Sequence, residues 1–375
     1  MGLIYTEEQK DLIKMVHDMI EKEVKPYVAE CDKKGECPIE LFQPAIDMGL
    51  HMLEIPEEYG GAGMDYETTA MIFEEIAKVD AGYADTLVTT FVALRNVILA
   101  GTPEQARYFA DVVAEGKFAC FAITEPGAGS DAGALRSTAV KDGDDYILNG
   151  TKTFATNGEC ASLYIAFFKA EEGITAFMID RDTPGFSVGA HEDKMGFRLS
   201  NTTDLIFQDV RVPASNIIGE KGKGLKLALN SLNLSRAFIS TLGVGIMQRA
   251  LDEAVAYAKV REQFGQPIIK FEMVQQMLAD MAIKVDASRC LVNNTMKLMD
   301  NGSLVRKEGA ITKTFVTDCM QEVTSNAVQV FGGYGYSREY PVEKLMRDAK
   351  IFQIFEGTNQ IQRQTIAKCL EKEYK

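Results

Sequence analysis

The 375 residues contain no tryptophan, and the only histidines are His17, His51 and His191. They are scattered along the chain, so packing or surface roles suit them better than catalysis. The seven cysteines, Cys31, Cys37, Cys120, Cys160, Cys290, Cys319 and Cys369, are odd in number, and no two form C-x-x-C. That argues against structural zinc, or any bound metal, and for free thiols in a reducing cytoplasm. Positive charge is short too: 40 Lys and Arg stand against 54 Asp and Glu, a formal net charge of −14. So acidic a chain repels a phosphate backbone, which excludes nucleic acid as a partner. Any anionic ligand must be met by local cations or backbone amides. No uninterrupted apolar run reaches the length of a membrane span, so no membrane association is expected. The start, "MGLIYTEEQKDL", turns charged at once, unlike a secretory signal. Gly2 and Thr6 loosely fit an N-myristoylation pattern, one short enough to arise by chance.

What is present is a globular composition, 46% apolar, over a length that allows two or three domains. Residues 1–118 read as helices. Thr6 and Gln9 make a capping box, and Leu12, Ile13, Val16, Ile20 and Val24 recur at helical spacing. "PEEYGGAG" interrupts the helical pattern at 56–63. Over 119–222 the texture becomes β: "DDYILNGTKTFAT" places Asn149-Gly150 between two alternating runs, a hairpin signal. "SLYIAFFKA", "GITAFMID" and "TTDLIFQDVRVP" read as further strands. Over 223–375 long amphipathic helices return. The expected architecture is therefore multidomain α+β: an N-terminal helical bundle, a middle β domain of sandwich or barrel type, and a C-terminal helical bundle.

One stretch near the end poses a chemical question. "IFQIFEGTNQIQR" places Glu356 directly after an aromatic run and directly before Gly357. Glu356 could be the first-turn acid of a helix capped by Thr358, with Gly357 supplying a turn. It could instead be a base in an apolar pocket, where burial raises a carboxylate's pKa and glycine lets a ligand approach the backbone. The stretch alone leaves both open.

Further segments bear on the choice: "FAITEPGAGSDAG" at 121–133, "KTFATNG" at 152–158, "LNLSR" at 232–236, "VREQFGQPI" at 260–268, "QVFGGYGY" at 329–336 and "IFEGTNQIQ" at 354–362. Taken in order and spacing over essentially the whole chain, they resemble the acyl-CoA dehydrogenase family of flavoproteins, its short- and medium-chain, butyryl-CoA dehydrogenase-like members in particular. The resemblance implies a C-terminal four-helix bundle, FAD as cofactor, an acyl-CoA substrate, an electron-transferring flavoprotein as partner, and a homotetramer built as a dimer of dimers. It places Phe121, Ile123, Thr124, Gly129 and Ser130 along the flavin, with Ser130 also touching the CoA portion. Phe154 would cover one face of the isoalloxazine, where many members carry tryptophan, and Thr156 would bond near flavin N5. Arg261, Gln263, Phe264 and Phe271 would reach the FAD of a neighbouring subunit. Gln329, Gly332 and Gly333 would lie on the adenine side, with Thr358 and Gln360 as further FAD contacts. Asn233 and Arg236 would hold the CoA part, with Phe355 and Gly357 against the substrate. Asn233 stands where many relatives carry Asp.

By the same resemblance Glu356 is the catalytic base. It would remove the α-proton of a short or medium acyl chain while a hydride passes from the β-carbon to flavin N5. Relatives that carry the carboxylate next to Arg236 instead are excluded as a template, since that neighbour is Ser235. Ala84 stands where glutaryl-CoA dehydrogenase carries arginine, which disfavours a dicarboxylate substrate. Two other functions use the same residues: an enoyl-CoA reductase run in reverse with an electron-transferring flavoprotein, and a non-catalytic acyl-CoA or flavin binder. The retained Glu356 argues against the binder. Arg95, amid the apolar run "TLVTTFVALRNVILAG", is expected to snorkel or to pair with Asp85 or Glu104. The alternative is that it closes the far end of the acyl pocket.

Overall fold

The computed structural model describes residues 5–374. Gly2, on which the myristoylation pattern depends, lies outside the described residues. Helix α1 (Glu7–Met19) starts at its expected cap: Thr6 Oγ1 accepts from Gln9 N–H, and the Gln9 side chain accepts from Thr6 N–H. Two otherwise free amides are thereby satisfied. A π-helical segment at Ile20–Val24 continues into α2 (Lys25–Lys34). After the short α3 (Gln43–Asp47), Asp65 caps α4 (Tyr66–Val79) and Asp80 caps α5 (Ala81–Ala100); α6 (Pro103–Ala114) begins at a second capping box, Thr102 with Gln105.

Helix α5 is interrupted by Asp85 and Arg95 yet apolar on average. By length and composition it could cross a membrane, but 83% of its most apolar window is buried inside the fold. It is apolar all round because protein surrounds it on every side.

The β region holds β1 (Phe118–Ala122), β2 (Thr138–Asp142), β3 (Asp145–Thr156), β4 (Ala161–Ala170), β5 (Gly173–Asp180), β6 (Phe186–His191), β7 (Thr202–Pro213) and β8 (Ile217–Ile218). They form one sheet in the order β6-β7-β3-β2-β4-β5-β8, with β1 parallel to β4. Alternation on β4 divides two cores: Tyr164, Ala166 and Phe168 join Tyr146, Phe177 and Phe207 inside the sheet, while Leu163, Ile165 and Phe167 face the helices. The Asn149-Gly150 hairpin is not formed. The turn lies earlier, with Asp142 paired to Asp145, and Asn149-Gly150 sits inside β3 at a register shift against β7. Gly150 has φ 143°, and a Cβ there would meet Ser137 Oγ at 2.1 Å, so this glycine serves a bulge and a close approach.

The C-terminal part contains α7 (Gly224–Val260), a two-stranded hairpin of β9 (Glu262–Gln263) and β10 (Gln266–Pro267), then α8 (Glu272–Asp300), α9 (Arg306–Phe331), α10 (Val342–Ile351) and α11 (Asn359–Glu373). Helix α7 runs through the middle of the molecule, packed on α4, α5, α8 and α9. Gly245 permits the α4 contact, since a Cβ there would lie 2.6 Å from Glu74 O.

Candidate active site

Glu356 lies outside any helix. Thr358 is the N-cap of α11, its hydroxyl accepting from Ile361 N–H, and Glu356 precedes it by two residues at φ 56°. The first-turn reading therefore fails. A left-handed backbone at a non-glycine residue costs about 1–3 kcal/mol and persists where its surroundings impose it. Here they do: Gln362 Nε2 donates to the carbonyls of Glu356 (3.1 Å) and Gly357 (2.9 Å), and Lys313 Nζ donates to Gly357 O (2.8 Å) and Asn359 Oδ1 (2.9 Å). Gly357 continues the turn at φ 86°.

The carboxylate this turn presents is partly sealed. The residue keeps some exposure, yet Oε2 is fully enclosed and has no hydrogen-bond partner. Phe352 is buried and Phe355 half-buried, both packed edge-on against Phe197, while Ile354 points to solvent. The aromatic run thus shields Glu356 through its two phenylalanines and through a third from the β region. Burial raises the Glu356 pKa, and the cations Arg236, Arg95 and Lys313 pull it back without cancelling the rise.

These cations come from three elements. Arg236 and Asn233 are buried on α7, and Arg236 Nε lacks a partner. Lys313 on α9 has its pKa lowered to about 7, chiefly by burial. Arg95 on α5 pairs with Glu54 at 2.5 Å, both side chains buried, and does not snorkel or pair with Asp85 or Glu104. Asp85 instead accepts a hydrogen bond from Ser200 Oγ (3.1 Å), and burial, with Glu356 nearby, pushes its carboxyl up to about 7.

The segments expected along the flavin also converge. Thr153 N–H donates to Thr124 O (2.9 Å), joining 121–130 to 152–158. A buried ion pair fastens the same junction: Lys152 Nζ donates to Glu125 Oε1 at 2.7 Å, and Glu125 also accepts from Arg136 N–H and Ser137 N–H. Asn157 Nδ2 ties the end of β3 to Thr86 O and Ala119 O. Phe121 packs edge-on against Phe167, Ile123 is buried and Thr124 partly exposed. Around this frame the surface is open. An added Cβ at Gly127 or Gly129 would meet nothing within 4 Å, Ser130 is exposed, and Thr156 is partly exposed at the end of β3. Phe154 is 63% exposed at φ 53°. A large aromatic held outward in a strained backbone beside bare glycine backbone fits a flat aromatic cofactor with a phosphate tail, which is what FAD is.

The remaining expected residues form a second group. Arg261 ends α7 and lies 5.7 Å from the Tyr334 ring centroid, next to Gln329, Gly332 and Gly333, all exposed. The hairpin turn puts Phe264 at φ 50° and 95% exposed, edge-on to Phe271, with Gln263 also exposed. Arg236 and Val260 share α7 across 24 residues (260 − 236), roughly 36 Å at 1.5 Å per residue. This chain therefore cannot bring Arg261 to its own Glu356. Thr358 and Gln360 stay with the first group, Thr358 as a cap and Gln360 exposed.

Sequence reading missed Lys152, Glu125, Lys313 and Glu54, and named Asp85 only as a partner for Arg95. The available signal was a charge inside an apolar period, as in "AITKTFV" for Lys313; nothing local named the partners.

The comparisons agree with this geometry. Family models described as the N-terminal, middle and C-terminal domains of acyl-CoA dehydrogenase match residues 6–117, 120–210 and 222–371. A short-chain specific acyl-CoA dehydrogenase of Megasphaera elsdenii is 44% identical over 96% of this chain and 97% of its own. The structure of butyryl-CoA dehydrogenase from Megasphaera elsdenii superposes with a TM-score of 0.95 at 41% identity, covering 99% of this chain and 100% of that one. A chain from a structural study of the electron-transferring flavoprotein of Acidaminococcus fermentans and flavin-based electron bifurcation also gives 0.95 at 41% identity, covering 99% of each chain. With a half-sealed carboxylate facing three cations, beside a frame that suits a flavin, and with all three domain models matched in order, the chain belongs to the acyl-CoA dehydrogenase family and is an FAD-dependent oxidoreductase of acyl-CoA thioesters.

Proposed function

We propose that Glu356 removes the α-proton of a short- or medium-chain acyl-CoA, giving the trans-2-enoyl-CoA. The observation that carries this is the enclosed, unpartnered Glu356 Oε2, whose raised pKa Arg236, Arg95 and Lys313 offset only in part. A carboxylate out of water is a stronger base, and the burial that raises its pKa also favours the protonated product. Arg236, Arg95 and Lys313 oppose the rise and favour the ionised form. Arg236 and Asn233 hold the CoA portion with Ser130, and the bare backbone at Gly357 together with Phe355 borders the thioester. Amides of the Glu356–Gly357 turn would serve as donors for the developing oxyanion. FAD, when bound, supplies the hydride acceptor. Phe121, Ile123, Thr124, Gly129, Ser130, Phe154, Thr156, Thr358 and Gln360 would hold it from this chain. The direction of reaction is tested by steady-state rates with saturated thioesters and a dye acceptor against enoyl thioesters and a reduced donor. Faster oxidation supports the dehydrogenase; turnover only of enoyl thioesters makes the protein a reductase.

In this reading the chain divides at 1–118, 119–222 and 223–375, and it works in the cytoplasm with an electron-transferring flavoprotein. The exposed Phe264 arm with Arg261, Gln263 and Phe271, and the Gln329–Gly333 segment, would complete the FAD site of a second subunit in a tetramer. Arg261→Ala is then expected to lower flavin content and shift the oligomer towards smaller species together, read by absorbance and size-exclusion chromatography. Unchanged values for both would rule out the cross-subunit role.

The pH profile follows from Glu356. It must be ionised to act, so kcat/KM rises with pH through its free-enzyme pKa. Because burial raises that pKa, the acidic limb is expected above the 4.5 of an ordinary glutamate. A limb at or below 4.5 would show the acting carboxylate to be solvated.

A further inference from the structure

The loop 192–201, which joins β6 to β7, is gripped from two sides. Towards the N-terminal helices, Arg198 Nε donates to Asp32 O at 2.7 Å, and Ser200 Oγ donates to Asp85 of α5 at 3.1 Å. Towards α10, Met195 O accepts from Arg347 NH1 at 3.1 Å, and Phe197 N–H donates to Asp348 Oδ1 at 2.5 Å. Gly196 sits directly on the α10 backbone: a Cβ there would lie 2.5 Å from Arg347 C and 2.7 Å from Asp348 N. Asp348 is buried and is itself fixed. Lys344 Nζ donates to its Oδ2 at 2.5 Å and to Oδ2 of Asp80, the cap of α5, at 2.6 Å.

The residue held by this grip is strained. Phe197 has φ 58° and is buried, with its ring centroid 5.4 Å from that of Phe352 and 5.9 Å from that of Phe355. A phenylalanine keeps a left-handed backbone only where its surroundings impose it. Here its one backbone donor meets a carboxylate, a stronger acceptor than a neutral oxygen. Phe355 immediately precedes Glu356. Gln362 and Lys313 tie the carbonyls of Glu356 and Gly357, and the Phe197 contact sets the aromatic pair that leads into that turn.

We propose that Asp348 is a positioning residue: through Phe197 N–H it holds the Phe197 ring against Phe352 and Phe355, and so fixes where Glu356 presents its carboxylate and keeps water from it. This rests on Glu356 being the base. Reacting groups misplaced by about 1 Å can lose about 100-fold in rate, so a wall that drifts is read in kcat.

The test uses holoenzyme at full flavin loading with butyryl-CoA and a dye acceptor. Asp348→Ala leaves Lys344 its Asp80 partner and is expected to lower kcat by about 10- to 100-fold with KM near wild type. Phe197→Gly removes the ring where glycine adopts the backbone freely, and is expected to match that loss. The double variant is expected to lose no more than Phe197→Gly alone, because Asp348 acts through that ring. Losses that multiply overturn the proposal. A second measurement needs no turnover: carbodiimide coupling of glycine ethyl ester to Glu356, followed by peptide mass spectrometry. It is expected to run several-fold faster in Asp348→Ala than in wild type, and equal rates overturn the proposal. If Asp348→Ala does not fold, Gly196→Ala, which lifts the loop from α10 and leaves every charge in place, is expected to show the same loss and the same labelling, and equal labelling again overturns it. Faster labelling with kcat unchanged means that Asp348 positions Glu356 but Glu356 is not the base.

Discussion

Glu356→Gln is expected to abolish turnover while leaving the protein folded and yellow. General bases contribute typically about 10²–10⁴-fold, so residual kcat should fall at least that far. The stability expectation has a definite sign. The folded-state pKa of Glu356 lies above its ordinary value, so the native state prefers the protonated form. The stability this group contributes is complete below pH 4.5 and is lost as pH rises through the folded pKa. Once ionised, the buried side chain opposes folding, and neutral glutamine removes that opposition. Its Tm should therefore match or exceed wild type at pH 7 by calorimetry. Activity within a few-fold of wild type would mean that another group takes the proton.

The second large effect is expected away from the chemistry. Glu125→Ala leaves Lys152, which has 0% side-chain exposure, without its partner and strips the acceptor from Arg136 N–H and Ser137 N–H. Removing one member of a buried pair typically costs about 3–5 kcal/mol, a large share of a stability of about 5–15 kcal/mol. Burial already lowers the Lys152 pKa to about 8 with Glu125 present. Without the carboxylate the lysine should give up its proton to remain buried. Flavin should be lost with stability, because the pair joins the two segments proposed to frame it. Chemical denaturation and flavin content measure both; a loss under about 1 kcal/mol would show that this junction is held by backbone bonds alone. Glu125 itself is held below its ordinary value, chiefly by Lys152 against the burial penalty. Its contribution is present above pH 4.5 and fades as pH falls through the lower folded value.

What sequence could reveal depended on range. The Thr6 cap, the helical periods and the order of the motifs are local patterns, and they sit where expected. The Asn149-Gly150 turn failed because a local turn signal lost to pairing with β7, which runs straight past it. Arg95 was recognised as a charge needing a partner, but Glu54 lies 41 positions away and the competing acids were nearer in sequence. Lys152 and Glu125 stand 27 positions apart, each inside a motif read for other residues. The left-handed backbones of Phe154, Phe264 and Glu356 carry no residue signature at all, since none is glycine, asparagine or aspartate. The two-residue hairpin turn sets that of Phe264, a register shift of β3 against β7 accompanies that of Phe154, and the Gln362 and Lys313 bonds hold that of Glu356; they mark three of the positions assigned to the site.

The central claim is that the Glu356 carboxylate takes the α-proton, and α-carbon exchange isolates that step. Holoenzyme is mixed in D₂O with an acyl-CoA analogue whose β-carbon carries no transferable hydride, and deuterium entry at the α-carbon is followed by mass spectrometry. Wild type should exchange the proton, with a rate that rises with pH through the raised pKa of Glu356, and Glu356→Gln should show none above the uncatalysed background. Exchange in Glu356→Gln within a few-fold of wild type would contradict the account.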